Sequence, residues 1–567
     1  MDSFDAIVVG SGFGGSVTAY RLAEAGLRVC LLERGKAYPP GSFPRSPHET
    51  AKNFWDPSSQ LFGMYDLWSF SKLDALVSSG LGGGSLIYAN VLIRKPETWF
   101  VNESIDGGYE RWPVTREDLD PHYDSVERML DAQPYPFDQK PYEDTPKTVA
   151  MQEAAGKLGL SWELPKLAIT FARPNEAPAP GVEIPGGDDN LHHSPRSTCR
   201  LVGECDLGCN FGSKNSLDLT YLSAAQRRGA DIRTFCEVRA FEPVDGGFQV
   251  SYIEHRPGQD GDPAAPPLRG AVRARRLILS AGALGTPYLL LRNRSAFPAL
   301  SPALGSRFSG NGDFLGMIVK ARRLQEEGGD GELVPRLLAP SYGPVVTSAM
   351  FMPDAHDEGG TGRGFYIEDA GYPEFLNWLV ENNVLTMSHR VGRFLLRRAW
   401  SAATHSPKSQ VGRSAADALS KGLFTATSLP MLGMGRDVPD GRVFLREGHL
   451  DLDWDLTASK PYFDRLNKTM GEVSKSLGGR YWASPLWLLN RLITVHPLGG
   501  APMGRDRREG VVDSYGQVYG YPGLSIADGS VMPGPVGPNP SLTIAALADR
   551  SAERIIDDHR RNPAGRP

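Results

Sequence analysis

The chain has 567 residues, of which 40% are hydrophobic and 22% charged, with a formal net charge of −5. One compact core rarely fills that length, so two closely joined domains are expected in a soluble globular protein. The mild acidity and the lack of a clustered basic stripe exclude nucleic acid as the main partner.

The N-terminus is read in most detail. An apolar strand at 5–9 runs directly into Gly10-Ser11-Gly12-Phe13-Gly14-Gly15, leaving no room for a secretory leader ahead of it, and cytoplasmic residence is the expectation. No run of 18 apolar residues suggests a membrane span. A helix over about 14–25 presents Val17, Leu22 and Ala23 on one side, Gly26 stops it, and a second strand at 28–32 ends at Glu33. This is a βαβ dinucleotide unit. Gly10 permits the sharp turn, Gly12 lets backbone approach a pyrophosphate at the helix N-terminus, and Gly15 allows helix to pack on strand. Glu33 can accept hydrogen bonds from a ribose diol.

The segment 80–90 (Gly-Leu-Gly-Gly-Gly-Ser-Leu-Ile-Tyr-Ala-Asn) is too rich in glycine for an ordinary strand or helix. It suggests backbone pressed against a flat ligand such as an isoalloxazine ring. A mixed segment follows at 101–195. Regular structure returns near 215–221, with strands at 234–241 and 247–255, a Pro/Gly-rich loop at 256–268, and an apolar strand from Arg276 that enters a glycine turn and a helix. Residues 320–485 show a looser pattern, as expected of a domain covering a substrate. Near the end come His496-Pro-Leu-Gly-Gly, a strand ending at Asp528-Gly529, and Val536-Gly-Pro-Asn539-Pro540. The last leads into a helix over about 541–558 with Ser541 as its N-cap. That helix N-terminus carries partial positive charge, suited to the pyrimidine edge of a reduced flavin.

The five cysteines include a cluster, Cys199, Cys205 and Cys209. Three thiols without an evident fourth ligand read as a loop of buried or occasionally oxidised thiols, and no metal is expected. Residues 374–400 interleave Phe375, Trp378, Leu379, Leu385 and Phe394 with Arg390, Arg393, Arg397 and Arg398. The pattern fits a lid or core helix with a basic outer face, or an amphipathic element making peripheral membrane contact to collect an apolar substrate.

Taken in order, the blocks at 10–15, 80–90, 215–221, 282–287, 496–500, 528–529 and 539–543 resemble the glucose–methanol–choline (GMC) oxidoreductases across the whole chain. Within them the chain is most similar to the cholesterol oxidases with non-covalent FAD. The resemblance implies an α/β fold: a Rossmann-like FAD-binding domain assembled from discontinuous segments (1–44, 76–100, 196–320 and 486–567) and a sheet-based α+β substrate domain (45–75, 101–195 and 321–485). It implies FAD contacts at Gly10, Gly12, Phe13, Gly14, Gly15, Glu33, Gly83, Gly84, Ser85, Asn90, Val238, Asp528, Gly529 and Ser541. It also implies that His496 and Asn539 face the substrate hydroxyl and the flavin.

Glu368 matches the acidic active-site residue of the steroid oxidases, where it would act as a base or shift a double bond; it reads equally well as a solvated residue beside Asp369. Tyr88-Ala-Asn90 and the three-cysteine loop belong to the longer branch of those enzymes. The expected function is oxidation of the CH–OH group of a bulky apolar alcohol, plausibly a sterol, with oxygen or another electron acceptor. A neutral His accepts a hydrogen bond near physiological pH, whereas an Asn amide can orient but not act as a base. A quinone- or dye-linked dehydrogenase, or a flavin-dependent lyase or photodecarboxylase, stays open as an alternative.

Overall fold

The computed structural model describes residues 2–103, 109–258, 265–325, 332–354, 363–374 and 422–561. The chain begins with β1 (Asp2–Val9), α1 (Phe13–Glu24), β2 (Val29–Leu32), α2 (Arg116–Met129), α3 (Pro146–Leu158) and β3 (Ser161–Glu163). It continues with β4 (Asp231–Arg233), β5 (Cys236–Val244), β6 (Gly247–Arg256), β7 (Ala265–Leu279), α4 (Gly282–Arg292) and β8 (Phe314–Val319). There follow β9 (Ala349–Met352), β10 (Phe365–Asp369), β11 (Leu429–Gly435), α5 (Lys460–Ser476), β12 (Arg480–Ala483), β13 (Leu492–Thr494), β14 (Leu524–Ile526) and α6 (Ser541–Arg561).

β1 grades from exposed polar residues at its start to fully buried Ala6–Val9 at its end, the signature of a parallel strand covered on both faces. It lies between β2 and β7, parallel to both, so Val9 stands opposite Leu32 on one side and Leu279 on the other. β4 extends the sheet beyond β2, β14 joins β7 in parallel, and β5 and β6 add an antiparallel edge. The five parallel strands β4, β2, β1, β7 and β14 therefore end at one edge, where the glycine turns lie. α1 covers the sheet and α6 packs along α1 and α2.

β7 begins earlier than the sequence pattern suggested. Pairing of Arg256 with Ala265 and Glu254 with Leu268 draws part of the expected loop at 256–268 into the strand. Pro266 and Pro267 are tolerated there because β1 pairs with β7 only from Val272 onward, which leaves that stretch with an edge free of a partner.

The second sheet is antiparallel throughout, in the order β3-β9-β10-β11-β8-β12. One face carries Met350, Phe365, Ile367, Met431, Phe314 and Ile318, which share a core with Phe463, Leu466 and Met470 of α5. Directly opposed residues project to the same face, so the other face holds the row Ala349, Glu368, Leu432 and Leu315, with Pro430, Met317 and Trp482 in the next. Glu163 of β3, opposite Ala349, projects to this face as well, so Glu163 and Glu368 are its two carboxylates in a largely apolar surface.

Candidate active site

After Val9 the backbone turns at Gly10 with φ of 97°, a left-handed conformation that strains any side chain. α1 then starts with Gly12 as N-cap and no side-chain cap, so its first-turn N–H groups form an anion-attracting end. A Cβ on Gly14 would come within 1.4 Å of the Ala527 carbonyl oxygen, so only glycine lets α1 seat against the end of β14. Gly15 is packed equally tightly on the Gly10 carbonyl. Phe13 meets Tyr88 edge to face, with ring centroids 5.2 Å apart, and Gly83 lies against Gly12; the two glycine loops therefore abut.

The facing sides of these loops are different. A Cβ on Gly12, Gly84 or Gly282 would meet nothing within 4 Å. Several buried polar atoms at or near these loops have no hydrogen-bond partner: Ser79 Oγ, both side-chain polar atoms of Asn90, Ser530 Oγ and Asn539 Oδ1. Buried polar groups in native proteins are nearly always satisfied. An open glycine cradle, a bare helix N-terminus and orphaned buried donors and acceptors together fit a bound dinucleotide.

The other expected contacts are placed as follows. Glu33 Oε2 accepts from the backbone N–H (3.0 Å) and hydroxyl (2.6 Å) of Ser11, and Oε1 from the Gly35 N–H (2.9 Å). Oε1 retains a lone pair for a ribose hydroxyl. Val238 lies two residues past Cys236, whose N–H donates to the Glu33 carbonyl at 2.8 Å, which sets it beside that acid. Ser85 uses its hydroxyl inside the protein, donating to the Gly82 carbonyl and accepting from the Leu217 N–H. Asp528 accepts from the N–H groups of Gly282 and Ser530 and from the Thr286 hydroxyl, and burial raises its carboxyl above the ordinary range. The Gly529 carbonyl accepts from the Gly499 N–H at 3.0 Å, tying this corner to the loop that carries His496. Ser541 does not cap α6. It is the first helical residue, the helix opens at the Pro540 carbonyl, and the Ser541 hydroxyl turns to the Val91 carbonyl, which passes beside it.

The substrate-facing candidates are held by two loops. His496 Nδ1 lies 2.8 Å from Asp313 Oδ1, while Asp313 Oδ2 accepts from the Thr494 hydroxyl (2.8 Å) and the Val495 N–H (2.9 Å). The Asn539 loop is pinned by Asn311, which accepts from the Gly537 N–H at 2.8 Å and donates to the carbonyls of Gly537 and Pro538. Lys95, fully buried over the Trp112 ring, donates to the Pro535 and Val536 carbonyls, and burial holds its ammonium well below its usual range. Asn539 Nδ2 donates to Glu368 Oε2 at 3.4 Å, so these two candidates meet directly.

Glu368 is not solvated. It is fully buried, as is Asp369, whose carboxylate pairs with Lys147 at 3.2 Å and accepts from the N–H groups of Thr347 and Ser348. Burial pushes the Glu368 carboxyl well above the carboxylate range, opposed by the Asn539 hydrogen bond and reinforced by nearby acids. Burial thus favours the neutral acid over the carboxylate.

Sequence reading missed Asp313, Asn311, Lys95 and Asp437. Asp437 accepts from the Ser309 hydroxyl and the Gly310 N–H, and burial pushes its carboxyl up to about 7. The run Gly310-Asn-Gly-Asp313 reads in sequence only as a turn. Of the clustered thiols, Cys199 and Cys205 are buried and Cys209 half-buried, all three free, and burial pushes Cys205 up to about 11. The stretch 374–400, read as a lid or core helix or as an amphipathic element touching lipid, lies outside the described residues from 375 onward. Among the described residues no helix is long and apolar enough to cross a membrane.

A parallel sheet with this glycine turn and open cradle fits a dinucleotide-binding fold. The GMC oxidoreductase family's models match residues 181–310 and 485–548, and a Rossmann-like NAD(P)-binding model matches 8–48. The chain is an FAD-binding oxidoreductase acting on alcohols. It is 29% identical to a cholesterol oxidase of Mycobacterium tuberculosis, over all of this chain and 93% of that protein. A cholesterol oxidase of Acinetobacter baumannii is 26% identical over 98% of this chain and 95% of its own length. The fold is shared with pyridoxine 4-oxidase from Mesorbium loti, at a TM-score of 0.54 and 16% identity, covering 97% of this chain and 98% of that one.

Proposed function

We propose that the chain oxidises the hydroxyl of a bulky apolar alcohol, a sterol in particular, with His496, Asn539 and Glu368 around the reacting carbinol. The residues suited to hold FAD are Gly10, Gly12, Phe13, Gly14 and Gly15 at the pyrophosphate, Glu33 and Val238 towards the adenosine, and Gly83, Gly84, Ser85, Asn90, Asp528, Gly529 and Ser541 along the rest. When bound, FAD supplies the acceptor for the hydride that leaves the carbinol carbon.

The chain must then manage the hydroxyl proton and the direction of the C–H bond. Burial favours the protonated form of Glu368, which has no vacancy for that proton. His496 therefore takes the acceptor role, and the Asn539 amide, held on a loop fixed by Asn311 and Lys95, orients the oxygen. A positioned acid–base group contributes about 10²–10⁴-fold to rate.

The observation that carries the sterol reading is the sheet face around Glu368. From that acid the surface runs through Leu432 to Leu315 and Met317 and out to Trp482, with Leu315 38% and Trp482 52% exposed. Apolar side chains in two adjacent rows, exposed at Leu315 and Trp482, suit a rigid hydrocarbon body rather than a small polar diol. The test is a panel of alcohols on the FAD-loaded protein without oxygen, following bleaching of the flavin. A sterol should give the highest rate per concentration, a long-chain alcohol less. Faster bleaching by a short polar diol would defeat the reading.

A further inference from the structure

Asp313 stands where the two substrate-facing loops are tied together. It belongs to the segment 309–313, which contacts the His496 loop at both ends. Ser309 exchanges two backbone hydrogen bonds with Leu498, at 3.0 and 2.9 Å, and Asp313 binds Thr494, Val495 and the His496 ring. Between these points Gly310 is held by Asp437, and Asn311 grips Gly537 and Pro538 of the Asn539 loop. The Asp313 side chain is buried, and the imidazole is mostly so.

The geometry fixes what each Asp313 oxygen does. Oδ2 faces the Val495 N–H, which can only donate, and the Thr494 hydroxyl. Oδ1 faces only His496 Nδ1 among the hydrogen bonds described. A carboxylate brings no proton to that contact, so the proton must be on the ring nitrogen. A neutral imidazole carries one N–H, and with that on Nδ1 its Nε2 is a bare acceptor. We propose that Asp313 is a positioning residue that sets the tautomer of His496, keeping Nε2 as the acceptor for the substrate hydroxyl. The proposal rests on the assignment of His496 as that acceptor.

Asp313→Asn tests it with little change in shape. The Val495 N–H obliges the amide oxygen to take the Oδ2 position, which turns the amide NH₂ towards His496 Nδ1. That nitrogen must then accept, the ring proton moves to Nε2, and the acceptor is lost. In protein labelled with ¹⁵N-histidine, the His496 signal, assigned by its absence in His496→Ala, should report Nδ1–H in the wild type and Nε2–H in Asp313→Asn. Flavin reduction by saturating alcohol without oxygen should slow by about 10²–10⁴-fold, the range for a mispositioned acid–base group. FAD content should stay within about threefold, since it does not depend on the proton's place, and the loss should fall on the rate at saturating alcohol. Asp313→Ala, which removes the bias without reversing it, should fall in between.

A wild-type spectrum with the proton on Nε2 overturns the proposal whether or not the variants fold. So does Asp313→Asn reducing its flavin within about threefold of the wild type while His496→Ala is slow. If His496→Ala itself keeps the wild-type rate, the acceptor assignment fails instead, and the two failures are told apart.

Discussion

Asp437 sits behind the segment that holds both active loops, and its replacement by Asn gives a signed, sizeable prediction. The carboxyl has no exposure, and burial raises it from 3.8 to about 7 despite hydrogen bonds from Ser309 and Gly310. The difference is about three pH units, and each is worth about 1.4 kcal/mol between folded and unfolded states, giving up to about 4 kcal/mol. The direction follows from proton counting. Between pH 3.8 and 7 the native state holds a proton that the unfolded chain has released, so stability falls as pH rises through that window and the deficit is complete above it.

Asp437→Asn cannot ionise; its one amide oxygen can keep the Gly310 N–H, and its NH₂ then faces the Ser309 hydroxyl, which can accept. Its stability relative to the wild type should therefore rise by up to about 4 kcal/mol between pH 4 and pH 8, whatever constant offset the amide introduces. Urea unfolding of both proteins at four pH values, followed by far-ultraviolet circular dichroism and tryptophan fluorescence, measures that change. A gap that stays constant within about 1 kcal/mol across the range would refute the argument.

Three further substitutions probe the cradle and the substrate loops. Gly14→Ala would set a methyl group against the Ala527 carbonyl and push α1 off β14, so the purified protein should lose most of its flavin absorbance relative to protein absorbance; full occupancy would contradict the close approach. Glu368→Gln imitates the neutral acid that burial favours, so alcohol oxidation at pH 7 should stay within about tenfold of the wild type. Any double-bond shift that uses the carboxylate should speed up with rising pH in the wild type, as the raised carboxyl ionises, and disappear in the variant. Lys95→Met strands the buried carbonyls of Pro535 and Val536, each worth about 1–3 kcal/mol when unsatisfied. The Asn539 loop should shift, and flavin reduction should fall about tenfold with FAD retained, read by stopped-flow absorbance.

The readable parts of the chain were those where chemistry is local in sequence. Strand, glycine turn, helix and terminal acid at 5–33 all lie within one βαβ unit, and the structure reproduces them nearly residue for residue. The second sheet was harder to see because β10 is buried on both faces, with no alternation to betray it. Ser541 followed the rule for a cap in sequence, but the Val91 carbonyl, far away in the chain, claimed its hydroxyl. Asp313 and Asn311 left no pattern for the same reason. Their partners lie at Thr494–His496 and Gly537–Pro538, and only the fold brings those loops to one turn. Glu368 was visible as a carboxylate, but its burial, and so its neutral form, depended on Leu432 and Ala349 from strands distant in sequence.

The most direct measurement is a crystal structure of the protein with its FAD reduced, oxygen excluded and a sterol bound. The account predicts the sterol hydroxyl oxygen within about 3.2 Å of both His496 Nε2 and Asn539 Nδ2, with the ring system lying along Leu432, Leu315 and Met317. A steroid bound elsewhere, or an oxygen out of hydrogen-bond reach of both side chains, would contradict it.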